Sequence, residues 1–215
     1  MITELYLSDL HIGLEPDGRL DVLPGWLAAH PPGKIIVHGD TLHLAESTLA
    51  QVMDTRDWRT LESLARQIPT EIIPGNHDYQ LEKKTGEALG GCRIIAPYVD
   101  KWDCWHSHWH EFDPITNISQ WWYRAFAHYF IKTPYQLLQP KTGNPVYLSA
   151  CQVIHTNILN RRRHKIYIGG HTHLPLDMII PDLGIELWNC GDLVDSFSAI
   201  TREDDNQLRL IFLNS

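Results

Sequence analysis

The feature that most constrains this chain is a series of short apolar segments, each followed directly by side chains that bind metals. Residues 2–7, 34–37, 70–73 and 165–168 are rich in Ile, Val and Tyr, and they end near Ser, Gly or Pro, as buried strands do. The residues that follow are Asp9-Leu10-His11, Gly39-Asp40, Gly75-Asn76-His77-Asp78 and Gly170-His171-Thr172-His173. Because ligands gather at the carboxyl ends of strands in an α/β sheet, we expect these side chains to converge on one site.

The spacing of the same segments predicts the fold class. Between the second and third segments, residues 45–67 carry apolar side chains at roughly helical spacing, so the early chain alternates strand and helix. The last third differs, because residues 176–180, 185–188, 196–201 and 208–213 look like consecutive strands joined by turns. We expect those strands to form a second, largely antiparallel sheet. A chain of 215 residues suits a single α/β domain with a substantial core.

One aromatic region interrupts this alternation. Five of the eight tryptophans lie between Trp102 and Trp122, and Tyr123 to Phe130 continue the aromatic character. We interpret residues 102–145 as a helical insertion near the mouth of the site. Its aromatic side chains either pack the core or form an apolar cap that receives part of a substrate.

Charge and composition restrict the possible partners. The formal net charge is −8, so there is no overall basic field to attract nucleic acid, although nucleic acid stays a possible substrate. The basic run at residues 161–165 is interpreted as a solvated helix end. No apolar stretch approaches the roughly 18 residues of a membrane-spanning helix. The four cysteines form no C-x-x-C pair and no signal peptide is apparent, so we expect reduced thiols and a cytoplasmic protein.

The donor atoms in the series indicate the kind of metal site. Carboxylate, imidazole and amide oxygen without thiolate favour Mn, Fe or Zn over a structural cysteine-rich zinc site. Two neighbouring cations repel each other and need a shared anion, for which Asp40 is the best candidate. Two such metals lower the pKa of a water molecule and hold the oxygens of a phosphoryl group. We therefore expect two divalent metal ions, Mn first with Fe or Zn as alternatives, and a phosphate-ester substrate.

Taken together, the motifs D-x-H, G-D, G-N-H-D, a single His and G-H-x-H resemble those of the calcineurin-like metallophosphoesterases, over about residues 5–195. The resemblance implies a four-layer αββα sandwich of two mixed β-sheets. It further implies that His77 protonates the leaving oxygen or stabilises the transition state, with Asp78 orienting it. The implied ligands are Asp9, His11, Asp40 and His173 for one metal, and Asp40, Asn76, His108 and His171 for the other.

Two positions depart from the family pattern. The segment from His106 to Asp113 resembles an H-G-H-E-F-D motif in which Trp109 replaces the usual glycine; the match selects His108 and leaves His106 and His110 as competitors. His43 stands where the family often has the second Asp of G-D-x-x-D. It either hydrogen-bonds to a ligand residue or contacts substrate.

The branch of the family is indicated less specifically. Residues 39–46 and 189–195 resemble the branch that contains the UDP-2,3-diacylglucosamine pyrophosphohydrolases, yet that branch usually has Arg in place of His77. We therefore expect a dinuclear phosphohydrolase that cleaves phosphodiester or phosphomonoester bonds by a metal-bound hydroxide. The alternatives are a pyrophosphohydrolase of that lipid type and a non-catalytic binding scaffold. Asp192 follows a glycine, as Asp40 does, but is interpreted as a turn residue.

Overall fold

A computed structural model describes residues 1–114 and 145–213 of the chain. The strands and α-helices, in chain order, are β1 (Ile2–Leu7), α1 (Val22–Ala29), β2 (Lys34–His38), α2 (Leu49–Met53), α3 (Arg56–Ala65), β3 (Thr70–Ile73), β4 (Ala88–Leu89), β5 (Cys92–Ile94), β6 (Tyr98–Val99), β7 (Cys104–His106), α4 (Pro145–Asn160), β8 (Ile166–Gly169), β9 (Leu176–Ile180), β10 (Ile185–Asn189), β11 (Ser198–Glu203) and β12 (Leu208–Phe212). Short 3₁₀ helices form at Arg19–Asp21, Tyr79–Lys84, His110–Phe112 and Pro181–Leu183.

The strands form two mixed sheets. The seven-stranded sheet has the order β12-β11-β1-β2-β3-β5-β4, and the five-stranded sheet has the order β6-β7-β8-β10-β9. In the first, β1, β2, β3 and β5 are parallel; in the second, β7, β8 and β10 are parallel. Antiparallel strands complete both sheets at their edges. The expected α/β sandwich of two mixed sheets is confirmed.

The expectation that the last four strands form one largely antiparallel sheet is wrong. Only β9 and β10 lie in the second sheet, where β10 also pairs in parallel with β8. Strands β11 and β12 instead extend the first sheet, because β11 pairs antiparallel with β1, for example Leu5 with Thr201. This pairing covers an edge of β1 that would otherwise expose unpaired backbone groups.

Side chains that alternate along strand β1 belong to two different core clusters, one on each face of the seven-stranded sheet. Leu5 and Leu7 of β1 belong to a core cluster with the apolar side chains of α1, α2 and α3, such as Trp58. Tyr6, between them, belongs to a second cluster together with Ile168 and other residues of the five-stranded sheet. Successive strand residues face opposite sides of a sheet, so β1 is buried on both faces.

The helix expected over residues 45–67 is divided into α2 and α3. Each begins at a threonine whose hydroxyl accepts a backbone N–H: Thr48 from Gln51 and Thr55 from Trp58. These N-caps satisfy donors that a helix start otherwise leaves without partners. Apolar residues of both helices, such as Val52 and Leu61, belong to the core cluster that contains Leu5 and Leu7 of β1.

Residues Trp109–Arg163 form a second compact unit, of which residues 109–114 and α4 are described. Within it, the Trp109 and His155 rings lie edge to face with centroids 6.1 Å apart, and Asn157 Nδ2 donates to the Phe112 carbonyl. Most of the predicted helical insertion at 102–145 lies outside the described residues. Its first part includes strand β7. A helical layer on the five-stranded sheet stays a prediction.

No helix within residues 1–114 and 145–213 is long and apolar enough to cross a membrane.

Candidate metal centre

The loops that follow β1, β2, β3 and β8, together with His108 beyond β7, bring the predicted ligand residues together. Asp9 and Asp40 are almost completely buried, with 0 % and 1 % of their surfaces exposed. The backbone N–H of His171 donates to Asp9 Oδ2 at 2.9 Å, and its ring lies edge to face with His108 at a centroid distance of 5.1 Å. All seven predicted ligand residues lie within residues 1–108 and 164–213, which belong to one compact unit.

One group of donor atoms forms around His11 and His173. Their Nε2 atoms are 3.3 Å apart, and His173 Nε2 lies 3.3 Å from Asp9 Oδ1. His11 Nε2 lies 3.8 Å from Asp9 Oδ1 and 3.9 Å from Asp40 Oδ2. Ligand atoms bonded at 2.0–2.2 Å to one ion stand about 3–3.5 Å apart, so the closest of these separations fit a single cation.

A second group forms around His108. Its Nε2 atom lies 3.2 Å from Asn76 Oδ1 and 3.2 Å from Asp40 Oδ2. Asp9 Oδ1 is more distant, at 3.9 Å from the same nitrogen. Asp40 Oδ2 thus lies within 3.9 Å of both groups, as a carboxylate shared by two cations would, and Asp9 Oδ1 lies equally near the two.

The carboxylate of Asp9 provides a test of whether these residues suit a metal. Its Oδ1 atom is buried and has no hydrogen-bond partner within the described part of the chain. A buried anionic oxygen without a donor is strongly unfavourable. This atom faces imidazole nitrogens of His11, His108 and His173, which are metal ligands in their neutral form. The donor set therefore fits divalent cations.

The three best-placed histidines share one arrangement. In each, Nε2 faces the Asp9 carboxylate and Nδ1 contacts a group on the outer side. His173 Nδ1 lies 2.7 Å from Asp192 Oδ2, His108 Nδ1 lies 2.7 Å from the His38 carbonyl, and His11 Nδ1 lies 3.2 Å from His43 Nδ1. Such outer contacts fix the orientation and tautomer of a ligand imidazole.

Asp192 is a functional candidate that the sequence analysis interpreted only as a turn residue. It does organise a turn, because its Oδ1 accepts the backbone N–H groups of Asp195 and Ser196. Its other oxygen, however, contacts His173. The signal that could have identified it is its position in a Gly-Asp pair directly after a strand, as for Asp40.

Arg19 is a second residue that the sequence analysis missed. Its Nη2 atom donates to the carbonyl oxygens of His11 at 2.8 Å and Leu14 at 3.1 Å, and it lies 3.3 Å from that of Leu10. The guanidinium is buried beside Asp57, at 3.8 Å. It therefore holds the loop that carries His11.

The backbone at the site is unusual. Five of the proposed ligands have positive φ without being glycine: Asp9 (52°), His11 (45°), Asp40 (47°), His171 (70°) and His173 (52°). Few non-glycine residues adopt this left-handed conformation, and those that do tend to cluster at functional sites.

Two glycines allow the loops to approach the carboxylates. A Cβ atom on Gly75 would collide with the Asp40 carboxylate, and one on Gly170 would collide with Ser8 Oγ and the Asp9 carboxylate. Any side chain at either position would displace a proposed ligand.

His77 and Asp78, predicted to act in catalysis, lie beside the shared carboxylate. The His77 backbone N–H donates to Asp40 Oδ1 at 2.7 Å, and its ring lies edge to face with His11 at 4.9 Å. The Asp78 carboxylate accepts the N–H groups of Gly75 at 2.6 Å and Leu42 at 3.1 Å, which joins the two loops. Burial, with the charge of Asp40, raises the pKa of Asp78 to about 7. Orientation of the His77 ring by Asp78 stays a prediction.

His106, a competitor of His108, contacts other residues. Its Nδ1 lies 3.0 Å from His38 Nε2, and its Nε2 lies 3.2 Å from Asp100 Oδ2. His110 belongs to the second compact unit. The geometry therefore favours His108 over His106.

The α/β sandwich of this chain is similar to the fold of a solved phosphoesterase structure. The phosphoesterase YfcE from E. coli superposes with a TM-score of 0.52 at 18% identity, over 98% of this chain and 93% of that one. An archaeal phosphodiesterase gives 0.46 at 11% identity, covering 97% and 98% of the two chains. Nuclease MPE from Pseudomonas putida gives 0.45 at 16%, covering 97% and 87%. No protein-family model and no curated protein sequence matches the chain.

Proposed function

We propose that this protein is a dinuclear metal-dependent phosphohydrolase that cleaves phosphodiester or phosphomonoester bonds. The observation that carries the proposal is the position of Asp40 Oδ2, which lies 3.9 Å from His11 Nε2 and 3.2 Å from His108 Nε2. One carboxylate oxygen therefore borders two separate groups of donors. Similarity to the fold of YfcE, a phosphoesterase, adds support.

In this proposal each group holds one divalent cation. The ligands are Asp9, His11, Asp40 and His173 for one, and Asp40, Asn76, His108 and His171 for the other. When bound, the two cations would supply Lewis acidity to the phosphoryl group and lower the pKa of a water molecule. We propose Mn, with Fe and Zn as alternatives that accept the same nitrogen and oxygen donors.

The protein's own side chains would perform distinct tasks. Asp9 and Asp40 concentrate negative charge in a buried site and so select cations over neutral ligands. His77 Nε2 lies 3.9 Å from Asp40 Oδ2, beside the point shared by both groups. An imidazole there would donate a hydrogen bond or a proton to the leaving oxygen.

The test combines metal analysis with a substrate panel. Purified protein is assayed for bound Mn, Fe and Zn, then with each metal on aryl phosphomonoesters, aryl phosphodiesters, cyclic nucleotides, single-stranded DNA and UDP-2,3-diacylglucosamine. We expect metal-dependent hydrolysis of an aryl ester that Asp40→Asn abolishes together with metal binding. Asp54→Asn, at an exposed carboxylate paired with Arg59, is the matched control.

Two outcomes would contradict the proposal. Hydrolysis of the UDP-lipid alone would support the pyrophosphohydrolase alternative. Absence of bound metal together with no activation by any added metal would support a binding scaffold without catalysis.

A further inference from the structure

His43 is a buried histidine for which the proposed chemistry has no task. Only 8 % of its surface is exposed. Its ring is stacked on His77, with centroids 4.9 Å apart and planes inclined at 25°, and it lies edge to face with His11 at 5.4 Å. The closest polar contact runs from its Nδ1 to His11 Nδ1, at 3.2 Å.

The protonation of this histidine pair follows from the position of His11. Two neutral imidazoles hydrogen-bond through their Nδ1 atoms only if one donates and the other accepts. His11 Nε2 faces His173 Nε2 and the carboxylates of Asp9 and Asp40. If that nitrogen binds a cation through its lone pair, the ring proton must be on Nδ1. His11 is then the donor and His43 the acceptor.

We propose that His43 is a positioning residue that accepts the hydrogen bond of His11 Nδ1 and thereby fixes the tautomer and ring orientation with which His11 binds its metal. The inference rests on the proposed function, because it takes His11 as a metal ligand. His43 does for His11 what the Asp192 carboxylate does for His173 and the His38 carbonyl does for His108.

The His43 contact differs from the other two in a way that can be measured. A carboxylate or a carbonyl oxygen always accepts, whereas an imidazole nitrogen accepts in only one tautomer. The contact is also the longest of the three, at 3.2 Å against 2.7 Å. The contact involves only the donor group around His11. Its loss should therefore weaken the binding of one metal equivalent and leave binding at the group around His108 unaffected.

The experiment compares His43→Leu with His43→Asn, whose side chains have the same number and branching of heavy atoms but differ in whether they offer an acceptor near the position of Nδ1. Metal-free protein is titrated with Mn²⁺ by calorimetry, and the spin coupling of a Mn pair is followed by electron paramagnetic resonance. We expect His43→Leu to bind one of two equivalents about 10–100-fold more weakly and to lose the coupled signal. His43→Asn should restore most of both.

Each other result has a defined meaning. Equal, wild-type binding of both equivalents by the Leu and Asn variants would overturn the positioning role, and an accompanying rise in KM alone would assign His43 to substrate contact. Equal weakening in both variants would also overturn it, because an acceptor would then be insufficient. If His43→Leu does not fold, His43→Phe, which keeps an aromatic face toward His77, takes its place. Failure of the wild-type protein to bind Mn²⁺, Fe²⁺ or Zn²⁺ would instead contradict the proposed function.

Discussion

The Asp192 carboxylate lies 2.7 Å from Nδ1 of His173, and its other oxygen accepts the backbone N–H groups of residues 195 and 196. A single carboxylate therefore orients a proposed ligand and closes the turn behind it. The two tasks can be separated experimentally, because different oxygen atoms perform them.

Asp192→Ala should reduce metal affinity about 10–100-fold, since His173 loses the acceptor that fixes its ring. Asp192→Asn should lose less, because the amide oxygen still accepts from Nδ1. Mn²⁺ titration of the metal-free variants measures both effects. Ser196→Ala is the control: it removes a hydroxyl 2.9 Å from Asp192 Oδ1 and leaves the contact to His173 in place. Equal losses in all three variants would attribute the effect to the turn.

Gly75→Ala should abolish metal binding and turnover. Its Cβ would collide with the Asp40 carboxylate, which a buried and crowded loop cannot avoid. Gly25→Ala is the matched control, because a Cβ there meets nothing within 4 Å and the position lies inside helix α1. That substitution should raise stability by up to about 1 kcal/mol through helix propensity. Retention of metal by Gly75→Ala would show that the loop relaxes.

Arg19→Met should lower the free energy of unfolding by about 3–5 kcal/mol, as expected when one partner of a buried ion pair is removed. The variant loses the bonds to the carbonyls of the His11 loop and leaves Asp57 without its cation. Arg56→Met, at an exposed ion pair with Asp21, should change stability by less than about 1 kcal/mol. Urea denaturation of the metal-free proteins separates the two, and similar midpoints would contradict the assignment of Arg19.

Stability should fall in strong acid as Asp100 is protonated. Burial raises the pKa of this carboxyl, but bonds from His106 and the backbone of Trp102 and Cys104, together with Arg202, outweigh burial and lower the pKa to about 2. This value lies below the 3.8 of an unperturbed aspartate. The contribution of ionised Asp100 to the free energy of unfolding is therefore complete above pH 4 and disappears as the pH falls toward 2. Asp100→Asn should flatten the unfolding free energy across that window. An unchanged slope would contradict the assignment.

His77→Ala should keep both metals and lose turnover in a way that depends on the leaving group. General acid assistance contributes about 10²–10⁴-fold, and it matters most for an alkoxide, which leaves poorly without a proton. Nitrophenyl esters, whose leaving groups are stable anions, should lose much less. Parallel kinetics on alkyl and nitrophenyl phosphates measure the difference. Equal losses on both would mean that His77 acts in some other way.

The convergence of the proposed ligand residues was predictable from sequence, because each follows a strand and parallel strands bring such residues to the same end of a sheet. The contacts of Asp192 and Arg19 were not predicted, since the Gly-Asp pair at Asp192 has no further ligand residues beside it, Arg19 has no pattern at all, and the partners of both are distant in sequence. Asp192 contacts a residue 19 positions away, and Arg19 acts through carbonyl groups that carry no sequence signal.

The strand segments were also predictable, whereas the assignment of β11 and β12 to a sheet was not. Alternation of apolar residues indicates that a segment is a strand, but it does not identify the neighbour. The pairing of β11 with β1 joins opposite ends of the chain, as in the contact of Thr3 Oγ1 with the Arg202 carbonyl, 199 positions apart. Such long-range pairings depend on the whole core rather than on local pattern.

The left-handed backbone at Asp9, His11, Asp40, His171 and His173 has a consequence for any redesign of the proposed metal site. A residue at any of these positions must meet two requirements: it must supply the donor atom, and it must tolerate a positive φ. Exchanging ligands at them would therefore disturb the loops as well as the coordination. His43 has an ordinary φ value, so an engineer can vary the group behind His11 while the loop keeps its shape.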